Sequence, residues 1–426
     1  MSVLIIDGGV PLRGRVTAQG CKNSALAVLA AAALCEDKVY LTNVPDIGDV
    51  RTMISILRSL GYKVTWNSGV TIKPGNTIKN YDLTRTGAGS IRGSLLFLGA
   101  LLGRLGKVVL PMPGGCNIGT RPIDLHLKGL SLMGAKLDVQ GGSIRGEAPD
   151  GLKGAYVYLD FPSVGATENI MIAAALANGE TTIENAAQDQ QVVELGKFLM
   201  ACGVKVHGLG TKVIRIKGKR EIGGVTFRVS GDSIEAGTYI IAAAATRGSI
   251  TVDGIDVTFL RPLLFKLQEA GIEVVVTNGH EITLHSSPRP RGITIKTMPF
   301  PGFPTDLQPL MASLLATADG RSVITETVYD GRMGHVSELW KMGANIEVEG
   351  NTAIINGVEK LTGAPVVANN LRAGAALIVA GLSAEGRTAV YGMEHVMRGY
   401  SSINQKLKAL DARVQLLSDE EAVSIA

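Results

Sequence analysis

The sequence predicts an α/β protein of two lobes, built from six repeated units of about 70 residues with three units to a lobe. Three observations predict this. The chain has 426 residues, more than a single hydrophobic core usually serves. A short pattern, a helix end followed by a turn and a strand, recurs six times: LRSLGYKV, LSLMGAKL, LMACGVKV, LQEAGIEV, LWKMGANI and LKALDARV. A second pattern recurs with the same period, an Ala- and Leu-rich helix that runs into a β-like stretch.

Taken in chain order, the turn residues of the first pattern are Gly61, Gly134, Gly203, Gly271, Gly343 and Asp411, at spacings of 73, 69, 68, 72 and 68. A residue just past a helix C-terminus adopts positive φ, which costs glycine least, so five glycines at this place have a physical cause. The second pattern reads NSALAVLAAAALCEDKVYL, GSLLFLGALLGRLGKVVL, NIMIAAALANGETTI, GTYIIAAAATRGSITV, LMASLLATADGRSVI and GAALIVAGLSAEGRTAV, with a Gly turn in the last five. Helices apolar all round belong in a core, not on a surface. Each unit therefore holds one buried helix, one amphipathic helix with its turn, and several strands. No Pro/Ser linker or low-complexity segment interrupts the chain.

Composition narrows the function. Hydrophobic residues make up 46% and charged residues 19%, the balance of a folded protein. Glycine, 53 residues, is abundant without a Gly-X-Y period, which excludes collagen. Aromatics are 4% and the net charge is only +4, with basic residues scattered, which argues against nucleic acid and leaves anionic small molecules open. The longest apolar stretches, Ala25–Cys35 and Leu95–Gly103, fall short of the roughly 20 residues that span a bilayer. The N-terminal MSVLIIDGGV has no basic n-region and no cleavage site. The four cysteines, Cys21, Cys35, Cys116 and Cys202, form no CxxC pair, and the expectation is a cytoplasmic protein with reduced thiols.

The heads of the buried helices differ in kind from the rest: Lys22-Asn23, Ser90-Ile91-Arg92, Ser163-Val164-Gly165, Asp232-Ser233, Thr305-Asp306 and Asn370-Leu371-Arg372. Helix N-termini bind anions through unpaired N–H groups and the helix dipole. Ser, Thr, Asp and Asn at such places are also ordinary N-caps, a reading open for Ser163, Asp232 and Ser233 and, with less force, for Asp306. Lys22 and Arg92 are not, being cations at the positive end of a helix dipole. The Gly- and Pro-rich run 113–122, PGGCNIGTRP, sets one thiol beside one guanidinium, a setting that favours thiolate, so Cys116 is a candidate reactive cysteine. Cys21, Cys35 and Cys202 read as packing residues. Arg332, Arg372 and Arg398 lie near turns in the second half, with Arg92 and Arg121 in the first, and guanidinium groups suit carboxylate and phosphate. His126, His335 and His395 lack metal-ligand spacing, so neither metal nor cofactor is expected.

These residues carry a resemblance. GCKNS at 20–24, PGGCNIGTRPIDLHLKGL at 113–130, FPSVGATENIM at 161–171, FPTDLQ at 303–308, GRMGHVSEL at 331–339, LRAGAAL at 371–377 and HVMRGY at 395–400 together resemble the UDP-N-acetylglucosamine enolpyruvyl transferases, over residues 8 to 415. The resemblance implies two inside-out α/β domains, one from 22 to 229 and the other from 1–21 plus 230–426. It implies transfer of the enolpyruvyl group of phosphoenolpyruvate to the sugar 3′-hydroxyl, with release of phosphate, as the first committed step of peptidoglycan synthesis. Lys22 and Arg121 would clamp the phosphate and Asn23 would support the intermediate. Arg398 would bind phosphoenolpyruvate, with Arg332 and Arg372 near its carboxylate. Cys116 would be the general acid and the target of the phosphonate epoxide fosfomycin. Asp306 would hold the 3′-hydroxyl and act as its base. Arg92, Arg121, Pro122, Ile123, Asp124, Leu125, Ser163, Val164, Gly165 and Val328 would hold the UDP-sugar.

The chemistry is coherent, since addition across the double bond needs one acid and one base, with cations to hold the substrate's negative charge. The sequence departs from the family's usual pattern at Asn370, Gly331, Met397 and Phe161. Two alternatives follow: a catalytically weakened paralogue that binds UDP-sugar as a regulator, and a shikimate-pathway enolpyruvyl transferase. The latter usually carries DKS where this chain has CKN.

Overall fold

A computed structural model describes residues 2–75, 80–115, 119, 121–285, 288–418 and 421. The chain divides into two compact units, Met1–Gln19 with Cys116–Arg121 and Gly231–Ala426, and Gly20–Gly115 with Pro122–Ser230.

Each unit has its own core, and the apolar helices fill it. In the Gly20–Ser230 unit these are Lys22–Ala31, Phe97–Leu105 and Val164–Ala174, and Ser24 to Ala31 are buried without interruption. In the other unit they are Ser233–Ala245, Gln308–Leu315 and Leu371–Ser383, and the last buries every residue from Leu371 to Leu382. Small side chains allow close approach. A Cβ at Gly99 would sit 2.4 Å from the Asn169 carbonyl oxygen of the neighbouring helix, so glycine is required there.

Strands cover these helices, and burial alternates along them, with Ser322 and Ile324 the buried residues of Arg321–Thr325, which turns one face of each sheet inward. Among the described residues there are six sheets. Five share one four-strand plan, a single parallel pair followed by antiparallel partners. In one, Thr294–Lys296 runs parallel to Arg321–Thr325, which pairs antiparallel with Thr352–Asn356 and that in turn with Asn345–Glu349. The sixth, Lys107–Pro111 with Ser143–Glu147 and Lys136–Gln140, has three strands and a lone parallel bridge, Asp82 to Val109, where the others place a strand. The strand Ser2–Asp7 pairs on both sides with late segments, Arg387–Tyr391 and Arg413–Ser418.

The repeat is visible in the backbone. Gly61, Gly134, Gly203, Gly271, Gly343 and Asp411 have φ of 103°, 97°, 89°, 84°, 85° and 66°. The second turn series needs one correction. In its fourth copy the left-handed residue is Arg247, at φ 52°, and not Gly248. Gly248 serves a different purpose, since a Cβ there would lie 2.2 Å from the Leu12 carbonyl oxygen. No helix among the described residues is long and apolar enough to cross a membrane.

Candidate active site

The expected residues fall into two sets, one in each unit. Arg121, Asp306, Val328, Arg332, Arg372 and Arg398 belong to the unit that contains the chain's second half. Lys22, Asn23, Arg92, Pro122 to Leu125, and Ser163 to Gly165 belong to the other.

In the first set Asp306 is the centre. It lies in a 3-10 turn, Thr305–Leu307, that leads into the helix Gln308–Leu315, and Pro304 occupies the N-cap position. Asp306 is therefore no N-cap. Its Oδ1 accepts from Arg332 Nη1 at 2.7 Å, and its Oδ2 accepts from Arg372 Nη2 and Nε at 2.8 and 3.1 Å. The two guanidinium side chains are 5% and 8% exposed while the carboxylate is 25% exposed, so a ligand can reach the anion more readily than the cations. Burial alone would raise the Asp306 pKa. The charges of Arg372 and Arg332, with their hydrogen bonds, overcome this and hold it well below the ordinary carboxylate range.

Local structure fixes each arginine. Arg372 is the second residue of the helix Leu371–Ser383, and Asn370 caps that helix by accepting from the Arg372 and Ala373 amides at 3.1 and 3.0 Å. Asn and Asp cap about equally well, so this departure leaves the helix start intact. Arg372 Nη1 also donates to the Tyr400 hydroxyl at 3.2 Å, and its guanidinium lies 5.7 Å from the centre of that ring. The Tyr329 ring takes two cations, Arg332 at 5.1 Å and Arg121 at 5.4 Å. Arg332 Nε is buried and has no hydrogen-bond partner among the described residues. Val328 donates its backbone N–H to Glu326, and Arg398 is half-buried just after the short helix Met393–Val396.

In the second set Lys22 opens the helix Lys22–Ala31, beside half-buried Asn23. Its ammonium lies 2.9 Å from Asp49 Oδ2, an anion that offsets its unfavourable place on the helix dipole. Arg92 begins the turn Arg92–Leu96 and donates to the Pro122 carbonyl at 3.1 Å, which joins two of the expected UDP-sugar residues. Ile123 precedes the helix Asp124–Leu132, whose first residues are Asp124 and Leu125. Ser163 caps Val164–Ala174 through the Ala166 amide. Gly165 faces His126, whose Cε1 would lie 3.1 Å from a Cβ there. His126 Nδ1 in turn meets Asn169 Nδ2 at 3.0 Å.

Cys116 lies outside the described residues, as do Asn117, Ile118 and Thr120. Gly119, at φ 105°, admits no side chain, because a Cβ there would lie 2.8 Å from the Gly331 amide. Sequence reasoning named Thr305 only as a helix-head residue and missed Asp49, Glu326, Tyr329 and Tyr400 as parts of these arrangements. Tyr400 stands inside HVMRGY and could have been found there. The others carry no local signal, because their partners lie in distant segments.

A carboxylate clamped by Arg332 and Arg372 near the head of a buried helix is a charged cluster suited to an anionic substrate. The chain belongs to the EPSP synthase (3-phosphoshikimate 1-carboxyvinyltransferase) family, which it matches over residues 6–407. Within that family it is 90% identical, over the full length of both chains, to the UDP-N-acetylglucosamine 1-carboxyvinyltransferase of Coprothermobacter proteolyticus. It is 48% identical to UDP-N-acetylglucosamine 1-carboxyvinyltransferase 2 of Carboxydothermus hydrogenoformans, over 98% of this chain and 100% of the relative. Among solved structures it resembles the enolpyruvyl transferase NikO from Streptomyces tendae, with a TM-score of 0.87 and 26% identity over 98% of this chain and 99% of that one.

Proposed function

We propose that this chain transfers the enolpyruvyl group of phosphoenolpyruvate to the 3′-hydroxyl of UDP-N-acetylglucosamine and releases phosphate. This is the first committed step of peptidoglycan synthesis, and the chain is a transferase. The observation that carries the reading is the identity of 90% over the full length with a UDP-N-acetylglucosamine 1-carboxyvinyltransferase, which outweighs the shikimate-pathway alternative. The regulator alternative rests on the departures at Asn370 and Met397, and the first of these carries little weight, since Asn370 caps its helix as an aspartate would.

The roles follow from charge and geometry. Addition takes the 3′-hydroxyl proton onto Asp306 while the oxygen bonds to C2 of phosphoenolpyruvate, and Cys116 gives a proton to C3. Elimination returns a C3 proton to the Cys116 thiolate left by addition and breaks the C2–O bond to phosphate, so that phosphate leaves with the bonding electron pair. A carboxylate held by two guanidinium groups is a poor base. A substrate carboxylate that takes one of those forks weakens the hold on Asp306 and restores its basicity at the moment it is needed. The unspent Arg332 Nε–H is a further donor for that anion. Lys22 and Arg121 hold the phosphate, Arg398 binds phosphoenolpyruvate, and Asn23 supports the intermediate. Arg92, Pro122 to Leu125, Ser163 to Gly165 and Val328 hold the UDP-sugar. Both substrates are multiply charged and cross no bilayer unaided, so the reaction belongs in the cytoplasm.

The test is phosphate release on mixing the protein with UDP-N-acetylglucosamine and phosphoenolpyruvate. Release that requires both substrates is expected. UDP-sugar binding without release would favour the regulator instead, and release with shikimate 3-phosphate as acceptor would favour the other pathway.

A further inference from the structure

Glu326 directly follows the strand Arg321–Thr325 and is 2% exposed, a costly place for a carboxylate. Four hydrogen bonds account for its being there. Oε1 accepts from Thr297 Oγ1 at 2.8 Å and from the Val328 and Tyr329 amides at 2.8 and 3.1 Å. Oε2 accepts from Thr305 Oγ1 at 2.8 Å.

The directions of these bonds are fixed by their neighbours. Arg332 Nη1 donates to Thr305 Oγ1 at 2.8 Å, so the threonine's own hydrogen points to Glu326. The Thr327 amide donates to Thr297 Oγ1 at 2.9 Å, which likewise commits that hydroxyl to Glu326. One relay therefore runs Arg332 to Thr305 to Glu326. The same Arg332 Nη1 that starts it also holds Asp306. On the other side, the amides that Glu326 accepts belong to Val328 and to Tyr329, whose ring lies under Arg332 and Arg121. Glu326 touches none of the arginines through a hydrogen bond of its own, yet both segments that place Arg332 end on it.

We propose that Glu326 is a positioning residue of the active site, acting through the Thr305 hydroxyl and the Val328–Tyr329 amides to aim Arg332 at Asp306 and the substrate carboxylate. This rests on the enolpyruvyl-transfer reading above. Alone, a guanidinium can swing on its flexible stem; the relay leaves Nη1 one place to stand, and binding then loses less conformational freedom.

The experiment compares Thr305→Val, Thr305→Ser, Glu326→Gln and the Thr305→Val/Glu326→Gln double variant with the parent, by phosphate release with each substrate varied in turn and by thermal melting. Thr305→Val keeps the shape and removes the relay hydroxyl, and should raise KM for phosphoenolpyruvate about tenfold, leaving that for UDP-N-acetylglucosamine within about twofold. Thr305→Ser keeps the hydroxyl and should behave as the parent. Glu326→Gln should raise the same KM, and the double variant should be little worse than either single one, because both break one relay. Lower melting points with an unmoved phosphoenolpyruvate KM, or single penalties that simply add, would overturn the positioning role alone. A parent that releases no phosphate overturns the reaction, and the proposal with it.

Discussion

Asp306 carries one negative charge between two nearly buried guanidinium groups, so its replacement has two separable consequences. Asp306→Asn removes the base and should abolish phosphate release, by about 10²–10⁴ in rate. It also leaves Arg332 and Arg372 without their anion, at a cost of about 3 kcal/mol in unfolding free energy, the low end of the usual range because the carboxylate is partly exposed. Denaturant melts and phosphate release on one preparation separate the two. His335 gives a pH dependence. It is buried, and that burial, with the Arg332 charge, pushes its pKa down to about 4 despite the bond to the Arg332 carbonyl. The unfolded chain takes up a proton near pH 6.5 that the folded chain refuses until about pH 4, so stability falls as pH drops through this window. The loss at its acid end is about 3 kcal/mol, and His335→Gln should flatten that slope in melts from pH 7 to 4. Cysteine reactivity divides as well. Cys21, Cys35 and Cys202 are buried, and Cys35, its sulfur 3.9 Å from that of Cys202, is raised by that contact and by burial. A phosphonate epoxide should modify Cys116 alone, and peptide mass mapping decides it.

At the scale of elements, the same helix-end turn is solved six times, five with glycine and once with Asp411 at φ 66°. Asp411→Gly relieves a left-handed strain and should stabilise by about 0.5–1 kcal/mol, read as a rise in the urea midpoint. Asn370 makes the complementary case. Asn370→Asp should leave stability nearly unchanged, whereas Asn370→Ala should lose about 1 kcal/mol with two helix amides uncapped. These features were legible because each is local. A glycine past a helix end and an amide before one state their reason within a few residues. Asp306 was not legible in this way. Its sequence position at a helix head admits a cap as well as the base that the resemblance implies, and only the two arginines folded onto it show what holds its carboxylate.

For the whole molecule, two separate cores imply two separately addressable stabilities. Leu29 lies in one and Leu377 in the other, and both are fully buried. Leu29→Ala and Leu377→Ala should each cost about 2–5 kcal/mol. Calorimetry should show each lowering the transition of its own unit, because a chain with two cores need not unfold in one step.

The sequence by itself determined the repeat, the buried helices and their turns, and the inventory of arginines, carboxylate and thiol, because periodicity and composition act over short stretches of chain. Only the tertiary structure decided which of these groups meet. Arg332 and Arg372 stand 26 and 66 residues from the Asp306 they hold, and the strand Ser2–Asp7 finds its partners beyond residue 386. Lys22 draws its counter-charge from the start of a different helix. Such pairings are set by how three similar units pack around one core, and a long-range contact leaves no mark on the residues beside it.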